Sequence, residues 1–298
     1  MTRHFLSIDD VSKEELIELL DKATELKKDL KAGKDQTNLL KGKSLGMIFD
    51  KPSLRTRISF EVGMTQLGGS ALVLSSHEIQ IDERETRADV ARVMSRYLDA
   101  VMIRTFGHDI LEETAKYSSI PIINGLTDLL HPCQTLADLL TIREHYGSFD
   151  GLKIAYIGDG NNTVRSLMQA CAKLGIKIHV SCPVDFEPGE EYESEYSTVC
   201  HSVGEAVQDA DVVYTDVWSS MGQEREAQRR KKIFAGYQVN KALLDEFAKP
   251  TAIVLHCLPA HRGEEITAEA LKDHEGTILN QAENRLHTQK AVLLKLIG

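Results

Sequence analysis

The fold is decided by the stretch Leu45-Gly46-Met47-Ile48-Phe49-Asp50-Lys51-Pro52-Ser53-Leu54-Arg55-Thr56-Arg57. The apolar run at 45–49 has the length of a buried β-strand and leads directly into a polar loop. Beyond the loop, Phe60, Met64 and Leu67 recur at helical spacing. A strand that passes through a loop into a helix is the unit from which parallel α/β sheets are built.

Similar units recur along both halves of the chain. In the first half, further strands are predicted at 71–74, 100–103 and 120–123, with helical patterns at 88–98 and 135–146. A turn at 147–151 interrupts the series, and new strands are predicted at 153–157, 177–180, 211–214 and 252–255. We therefore expect an α/β fold of two domains, each a mostly parallel sheet flanked by helices, with the active site in the interdomain cleft.

The two ends of the chain have helical patterns. Ser12 and Glu15 have the spacing of a capping box, which predicts an amphipathic helix near the start. The segment 282–297 is predicted to be helical, and its apolar positions Ala291, Leu294 and Ile297 suggest that it packs back across the structure. The predicted domains are 1–147, with the last helix at about 284–298 packed onto it, and 148–283.

The composition indicates a globular protein. The 298 residues are 42% hydrophobic and carry a net charge of -10, which disfavours nucleic acid and anionic membranes as partners. No apolar stretch reaches the ~18 residues that a membrane helix needs, so a cytoplasmic location is expected. The five cysteines are far apart and signal neither a disulfide framework nor a zinc site.

The loop after the first predicted strand has the chemistry of an anion site. Ser53, Arg55 and Thr56 would lie at a helix N-terminus, where free N–H groups and a guanidinium can hold a dianion such as phosphate. Arg57 points elsewhere and is assigned to structural pairing. An ordinary Ser-capped helix with solvated arginines is the alternative interpretation.

Two further loops of the first half add polar groups. Arg104 ends a predicted strand, and His131 and Gln134 open a helix. A guanidinium, a neutral imidazole and an amide would suit a carbonyl oxygen and an NH2 group. His131 could equally cap the helix or lie in the core. Because these loops end strands of one sheet, we expect their donors to converge.

Three loops of the second half offer further chemistry. The loop 158–162 lacks the third glycine of a dinucleotide motif, and its two Asn amides suit an amino-acid backbone better. Asp216 follows a predicted strand and could hold an ammonium group. Cys257 lies beside His256 and raises the alternative of a thiol nucleophile.

These motifs resemble those of a known family. Ser53-x-Arg55-Thr56-Arg57, together with His131-Pro132-x-Gln134, resembles the paired signature of the aspartate and ornithine carbamoyltransferase superfamily. Leu54 stands where many members have Thr, so its backbone N–H would serve. The resemblance implies no metal, no cofactor and a carbamoyl-phosphate site formed by Ser53, Leu54, Arg55, Thr56, Gln80, Arg104, His131, Pro132, Cys133, Gln134, Cys257, Leu258 and Arg285. The implied catalytic residues are Arg104, His131, Cys257 and Arg285.

The second half resembles the ornithine-using members. The matching motifs are Asp-x-Trp-x-Ser-Met-Gly at 216–222 and His-Cys-Leu-Pro at 256–259. The resemblance implies that ornithine binds to Asn162, Asp216, Ser220 and Met221. It also implies a cis bond between Leu258 and Pro259, and a role for Gln80 at the carbamoyl phosphate of a neighbouring subunit. The expected assembly is a homotrimer or a multiple of trimers.

The expected reaction is carbamoyl transfer from carbamoyl phosphate to the side-chain amine of L-ornithine, giving L-citrulline in arginine biosynthesis. Alternatives are an enzyme for putrescine or acetylornithine, or a catabolic ornithine enzyme. The Ser-Met-Gly and His-Cys-Leu-Pro motifs argue against an aspartate enzyme. A nicotinamide-dependent dehydrogenase and a non-catalytic homologue are more distant alternatives.

Overall fold

The computed structural model describes residues 2–75, 84–219 and 226–298. The chain divides into two compact units. The first comprises Met1–Leu140 with Asn284–Gly298, and the second comprises Thr141–Glu283. Within the described ranges, no helix is long and apolar enough to cross a membrane.

The first unit is built on a parallel sheet. Its strands are β1 (Ser44–Phe49), β2 (Ser70–Ser75), β3 (Ala100–Arg104) and β4 (Ile122–Leu126). They pair in the order β2-β1-β3-β4, and each described pair is parallel. The chain adds β2 on one side of β1, and then adds β3 and β4 on the other side. The topological switch point therefore lies between β1 and β3. Ligands of open α/β sheets bind beyond the strand ends at such a point.

Helices alternate with these strands. They are α1 (Lys13–Lys31), α2 (Leu54–Gln66), α3 (Arg87–Tyr97), α4 (His108–Tyr117) and α5 (Pro132–Tyr146). The capping box predicted for α1 is confirmed, since Ser12 Oγ accepts from the Glu15 N–H at 3.2 Å and Glu15 Oε2 accepts from the Ser12 N–H at 3.0 Å. Such a cap stabilises a helix start by about 1 kcal/mol.

The second unit contains the strands β5 (Lys153–Ile157), β6 (Lys177–Ser181), β7 (Ser197–Cys200), β8 (Val212–Thr215) and β9 (Ile253–His256). Their order is β7-β6-β5-β8-β9, again parallel throughout the described pairs, with a switch point between β5 and β8. The sequence prediction missed β7. This short strand is only partly buried and contains Ser and Thr, so it lacks the continuous apolar run of a central strand.

The remaining helices are α6 (Asn162–Leu174), α7 (Val203–Val207), α8 (Ala227–Ile233), α9 (Lys241–Phe247), α10 (Ala268–Asp273) and α11 (Glu275–Ile297). Helix α11 begins seven residues before its predicted start at 282. Its part in the first unit buries Ala291, as predicted, but it also buries a series of polar side chains. The series comprises Asn284, Arg285, His287, Thr288, Gln289 and Lys290. The two-domain α/β prediction is confirmed.

Candidate active site

The N-terminus of α2 lies at the switch point of the first unit. Ser53 caps the helix, with its Oγ accepting from the Thr56 N–H at 3.2 Å. The predicted structural role of Arg57 is confirmed, since its Nε donates to Glu61 Oε2 at 3.4 Å on the exposed face. Leu54 is 69% exposed and therefore leaves only its main chain to the helix N-terminus. Free N–H groups at this end of the helix can hold an anion.

A buried cluster lies next to this helix start. Arg285 of α11 donates from Nη1 to Gln134 Oε1 at 2.9 Å and from Nη2 to Thr56 Oγ1 at 3.1 Å. The three side chains are at most 2% exposed. The terminal helix thus brings its arginine to the starts of α2 and α5, which are far apart in the sequence.

His131 and Arg104 lie at the same edge of the first sheet as this cluster. His131 ends the loop before α5, and Arg104 ends strand β3. Both are almost fully buried. Burial lowers the pKa of His131 well below its usual value, and the positive charges of Arg285, Arg104 and Arg55 lower it further. His131 is therefore neutral at neutral pH, which is the form that the sequence interpretation as a carbonyl-binding group requires.

Cys133 is turned away from this chemistry. Its thiol lies 3.3 Å from the Asn124 carbonyl, and burial raises the pKa of the thiol to about 12. Such a thiol stays protonated at neutral pH. Any contribution of Cys133 to ligand binding therefore comes from its main chain.

The second unit gathers a different set of groups at its switch point. Asp216, just beyond β8, is 6% exposed. Its Oδ1 accepts from the Cys257 thiol at 2.8 Å, and its Oδ2 accepts from Asn161 Nδ2 at 2.9 Å and from Thr163 Oγ1 at 3.2 Å. The loops after β5, β8 and β9 are thereby linked through one buried carboxylate.

The two asparagines of this loop have separate positions. Asn161 caps α6, with its Oδ1 accepting from the Thr163 N–H at 3.0 Å, and also bonds Asp216. Asn162, the predicted ornithine ligand, is the first residue of α6 and is half-buried. Both Asn amides were interpreted from the sequence as suited to an amino-acid backbone, and the capping role of Asn161 was not foreseen, although an Asn before a helical pattern is a recognisable cap.

Gly160 explains why this loop resembles a dinucleotide motif. A Cβ at Gly160 would lie 2.4 Å from the Pro188 nitrogen, and the Gly160 N–H donates to the Phe186 carbonyl at 2.9 Å. The glycine is required by close approach to another main-chain segment. It therefore carries no indication of a pyrophosphate site.

A second buried pair supports the loop after β9. Glu265 Oε1 accepts from His256 Nε2 at 3.0 Å and from the His261 N–H at 2.6 Å. His256 Nδ1 accepts from the Leu258 N–H at 2.9 Å, which places the imidazole proton on Nε2. The predicted cis bond between Leu258 and Pro259 is confirmed. No sequence pattern had indicated Glu265.

Asp216, His256 and Cys257 also have potential metal-ligand atoms within 4.8 Å of one another. Both imidazole nitrogens of His256 already have partners, on Leu258 and Glu265. A metal ion bound there would have to displace one of these bonds.

Arg230 joins two segments of this half-site. Its Nη2 lies 2.6 Å from Asp159 Oδ2, its Nε donates to the Trp218 carbonyl, and its guanidinium lies over the rings of Phe186 and Phe234. Arg230 is 5% exposed. No sequence pattern had indicated Arg230. The predicted site residues Gln80, Ser220 and Met221 lie outside the described residues.

Together these features define a two-domain α/β protein. One unit gathers buried arginines and a neutral imidazole near a helix N-terminus, and the other gathers a buried carboxylate with its hydrogen-bond donors. Residues 3–144 match the family model described as "Aspartate/ornithine carbamoyltransferase, carbamoyl-P binding domain". Residues 150–296 match the model described as "Aspartate/ornithine carbamoyltransferase, Asp/Orn binding domain". The chain belongs to the aspartate/ornithine carbamoyltransferase family, as the sequence resemblance predicted, and is a carbamoyl-group transferase.

Full-length relatives support this assignment. The chain is 54% identical to an ornithine carbamoyltransferase of Anoxybacillus flavithermus, over 99% of this chain and 96% of the relative. It is also 54% identical to one of Syntrophus aciditrophicus, over 100% of both chains. The solved ornithine carbamoyltransferase of Pyrococcus furiosus is 48% identical, with a TM-score of 0.94 over 99% of this chain and 97% of that chain.

Proposed function

We propose that the protein transfers the carbamoyl group of carbamoyl phosphate to the side-chain amine of L-ornithine, giving L-citrulline and phosphate. The observation that carries the choice of acceptor is the buried carboxylate of Asp216, held by Cys257 and Asn161. A buried negative charge attracts the α-ammonium group of ornithine and repels the carboxylates of aspartate. It also disfavours acetylornithine, whose α-nitrogen is uncharged.

Carbamoyl phosphate binds to the half-site of the first unit in this proposal. The phosphate binds at the N-terminus of α2, where its hydrogen-bond donors are Ser53, the Leu54 N–H, Arg55 and Thr56. The carbamoyl group lies against Pro132, Cys133 and Gln134. The neutral amine of ornithine attacks the carbonyl carbon, the bond from that carbon to the phosphate oxygen breaks, and phosphate leaves with the electron pair. The amine loses its proton to solvent or phosphate.

The developing negative charge on the carbonyl oxygen is stabilised by Arg104, His131 and Arg285. Each preorganised donor of this kind contributes roughly 3 to 4 kcal/mol in studied enzymes. A neutral His131 suits this role, because it adds a hydrogen bond without a further positive charge beside the arginines. The carbonyls of Cys257 and Leu258 accept from the carbamoyl NH2.

The rest of the ornithine molecule binds to Asn162, Asp216, Ser220 and Met221, the last two holding its carboxylate. Putrescine lacks that carboxylate, so these two residues distinguish ornithine from putrescine. We assign residues 1–147 with 284–298 to the carbamoyl-phosphate domain and residues 148–283 to the ornithine domain.

We also infer a homotrimer, or a multiple of trimers, in which Gln80 reaches the donor site of a neighbouring subunit. An exposed apolar stripe on α2 supports association, since Leu54, Ile58 and Val62 recur every four residues and are 69%, 50% and 38% exposed. Light scattering after size exclusion measures the mass directly, and a monomer that is active at assay concentration would contradict the trans role of Gln80.

The deciding experiment measures citrulline formation from carbamoyl phosphate and ornithine, with aspartate, putrescine and acetylornithine as parallel acceptors. Turnover with ornithine alone is expected. Turnover with another acceptor would overturn the assignment of Asp216, Ser220 and Met221.

For the cellular role we propose cytoplasmic arginine biosynthesis, so the gene should restore growth without arginine to cells that lack this step. Failure to restore growth would favour the catabolic alternative.

A further inference from the structure

Asp138 places a carboxylate in the core of the first unit. It lies one helical turn after Gln134 on α5 and is 0% exposed. Gln134 Nε2 donates to Asp138 Oδ1 at 2.8 Å. A buried carboxylate is costly unless its surroundings supply hydrogen bonds. Its position beside the proposed carbamoyl-phosphate site of the first unit, called the donor half-site below, therefore calls for an explanation.

The chemistry of the three side chains determines the orientation of the Gln134 amide. An ionised carboxylate only accepts hydrogen bonds, a guanidinium only donates them, and an amide can do both. Asp138 takes the NH2 end of the Gln134 amide, and Oε1 is thereby turned toward Arg285 Nη1 at 2.9 Å. The opposite orientation would place amide donors against the guanidinium and an amide oxygen against the carboxylate.

Arg285 is held from its other side as well. Its Nε donates to Gln289 Oε1 at 2.8 Å, and Gln289 Nε2 donates to Ser59 Oγ at 2.7 Å. Gln289 therefore orients one edge of the guanidinium while Gln134 orients another. Because all these side chains are buried, the alignment of Arg285 depends on a continuous series of directed bonds.

We propose that Asp138 is a positioning residue of the donor half-site, which orients the Gln134 amide and, through it, the guanidinium of Arg285 toward the carbamoyl oxygen. The proposal rests on the carbamoyl-transfer function given above. Asp138 acts through Gln134, so its effect must disappear when Gln134 cannot transmit it.

A double-mutant cycle tests this dependence. We expect Asp138→Leu to lower kcat/KM for carbamoyl phosphate at least tenfold, while the KM for ornithine stays within twofold. In a Gln134→Ala background the same substitution should lower kcat/KM by less than twofold. Thr135→Val, an isosteric change of the neighbouring buried residue on α5, is the matched control and should stay within twofold of the parent. Independent losses that multiply in the double variant would overturn the proposal.

A second test, which moves the carboxylate from position 138 to position 134, applies if Asp138→Leu does not fold. Gln134→Glu would place two carboxylates in contact, whereas Gln134→Glu/Asp138→Asn restores the order of donors and acceptors. In that double variant the new amide at position 138 donates to the new carboxylate at position 134, which in turn accepts from Arg285. We expect the double variant to exceed Gln134→Glu at least tenfold in kcat/KM. Equal values would overturn the proposal. A parent enzyme that forms no citrulline would instead refute the proposed function.

Discussion

The Cys257 thiol lies 2.8 Å from Oδ1 of Asp216 and donates a hydrogen bond to it. The two residues follow neighbouring strands, β9 and β8, whose carboxyl ends meet at the same edge of the second sheet. The thiol is thus engaged with a buried carboxylate. This geometry favours a role for Cys257 in holding Asp216 over a role as a nucleophile.

Asp216→Asn should impair the use of ornithine specifically. The substitution keeps the shape of the side chain and removes its charge, so the α-ammonium group loses a charged hydrogen bond of about 1.5–3 kcal/mol. We expect the KM for ornithine to rise roughly 10- to 100-fold, with the KM for carbamoyl phosphate unchanged. Steady-state kinetics with each substrate varied will measure this, and a parallel rise in both constants would contradict the separation of the two half-sites.

Cys257→Ser and Cys257→Ala should differ in activity. A serine hydroxyl can still donate to Asp216, whereas alanine leaves that oxygen without the bond. We expect Cys257→Ala to lower kcat about tenfold, in line with the loss of a hydrogen bond to a charged group, and Cys257→Ser to lie between it and the parent. Complete loss of turnover in both variants would instead favour a covalent role for the thiol.

Arg230→Lys should weaken ornithine binding, although Arg230 is not among the residues proposed to contact ornithine. Lysine cannot reproduce the simultaneous bonds to Asp159 and to the Trp218 carbonyl. We expect a 10-fold or greater rise in the KM for ornithine and little change for carbamoyl phosphate. The exposed neighbour Arg229 provides the control, since Arg229→Lys should match the parent. Equal effects of the two substitutions would exclude a specific role for Arg230.

The dependence of kcat/KM for ornithine on pH should reflect the substrate amine. The pKa of His131 is lowered, so its imidazole is already neutral at neutral pH and does not titrate between pH 6 and 9. The side-chain amine of ornithine has a lysine-like pKa of about 10.4, so its neutral fraction increases with pH. We expect kcat/KM for ornithine to rise across this range. A flat profile, with chemistry limiting the rate, would contradict attack by the neutral amine.

Lys290 should make the protein more stable as pH rises. It is fully buried, its Nζ donates to Gln66 Oε1 at 2.9 Å and to Gln36 Oε1, and burial lowers its pKa to about 8. The charged form is therefore disfavoured in the folded state, and the full destabilisation is present below pH 8. It declines as pH rises from about 8 toward the unfolded value of 10.5.

The comparison variant for this effect is Lys290→Met, which cannot titrate. Between pH 7 and 10, the free energy of unfolding of the parent should increase relative to Lys290→Met by at most about 3 kcal/mol. Denaturant unfolding of both proteins at several pH values will measure the difference. A constant difference would show that Lys290 keeps its ordinary pKa in the folded protein.

The local patterns of the sequence were sufficient for the repeated strand–loop–helix units. Apolar runs followed by polar loops predicted eight of the nine described strands and the helices that Ser53 and Ser12 cap, because burial and capping leave direct traces in neighbouring residues. They also separated Arg55 from Arg57, since side chains two residues apart on a helix point in different directions. The identity of the loops as a carbamoyltransferase signature came from their residues alone.

The alignment of the site was decided only by the tertiary structure. The family resemblance placed Arg285 in the same site as Thr56 and Gln134, but no local pattern showed that it contacts them. Residues 284–290 of α11 bury mostly polar side chains and lack the apolar periodicity that marks a core helix. The links from Asp138 to Gln134, from Arg230 to Asp159 and from Glu265 to His256 were hidden for the same reason. The sequence by itself determined which chemical groups the chain carries and which sheet edges they follow. Tertiary packing determined which of them meet, since hydrogen bonds between distant segments depend on burial and direction that no local pattern records.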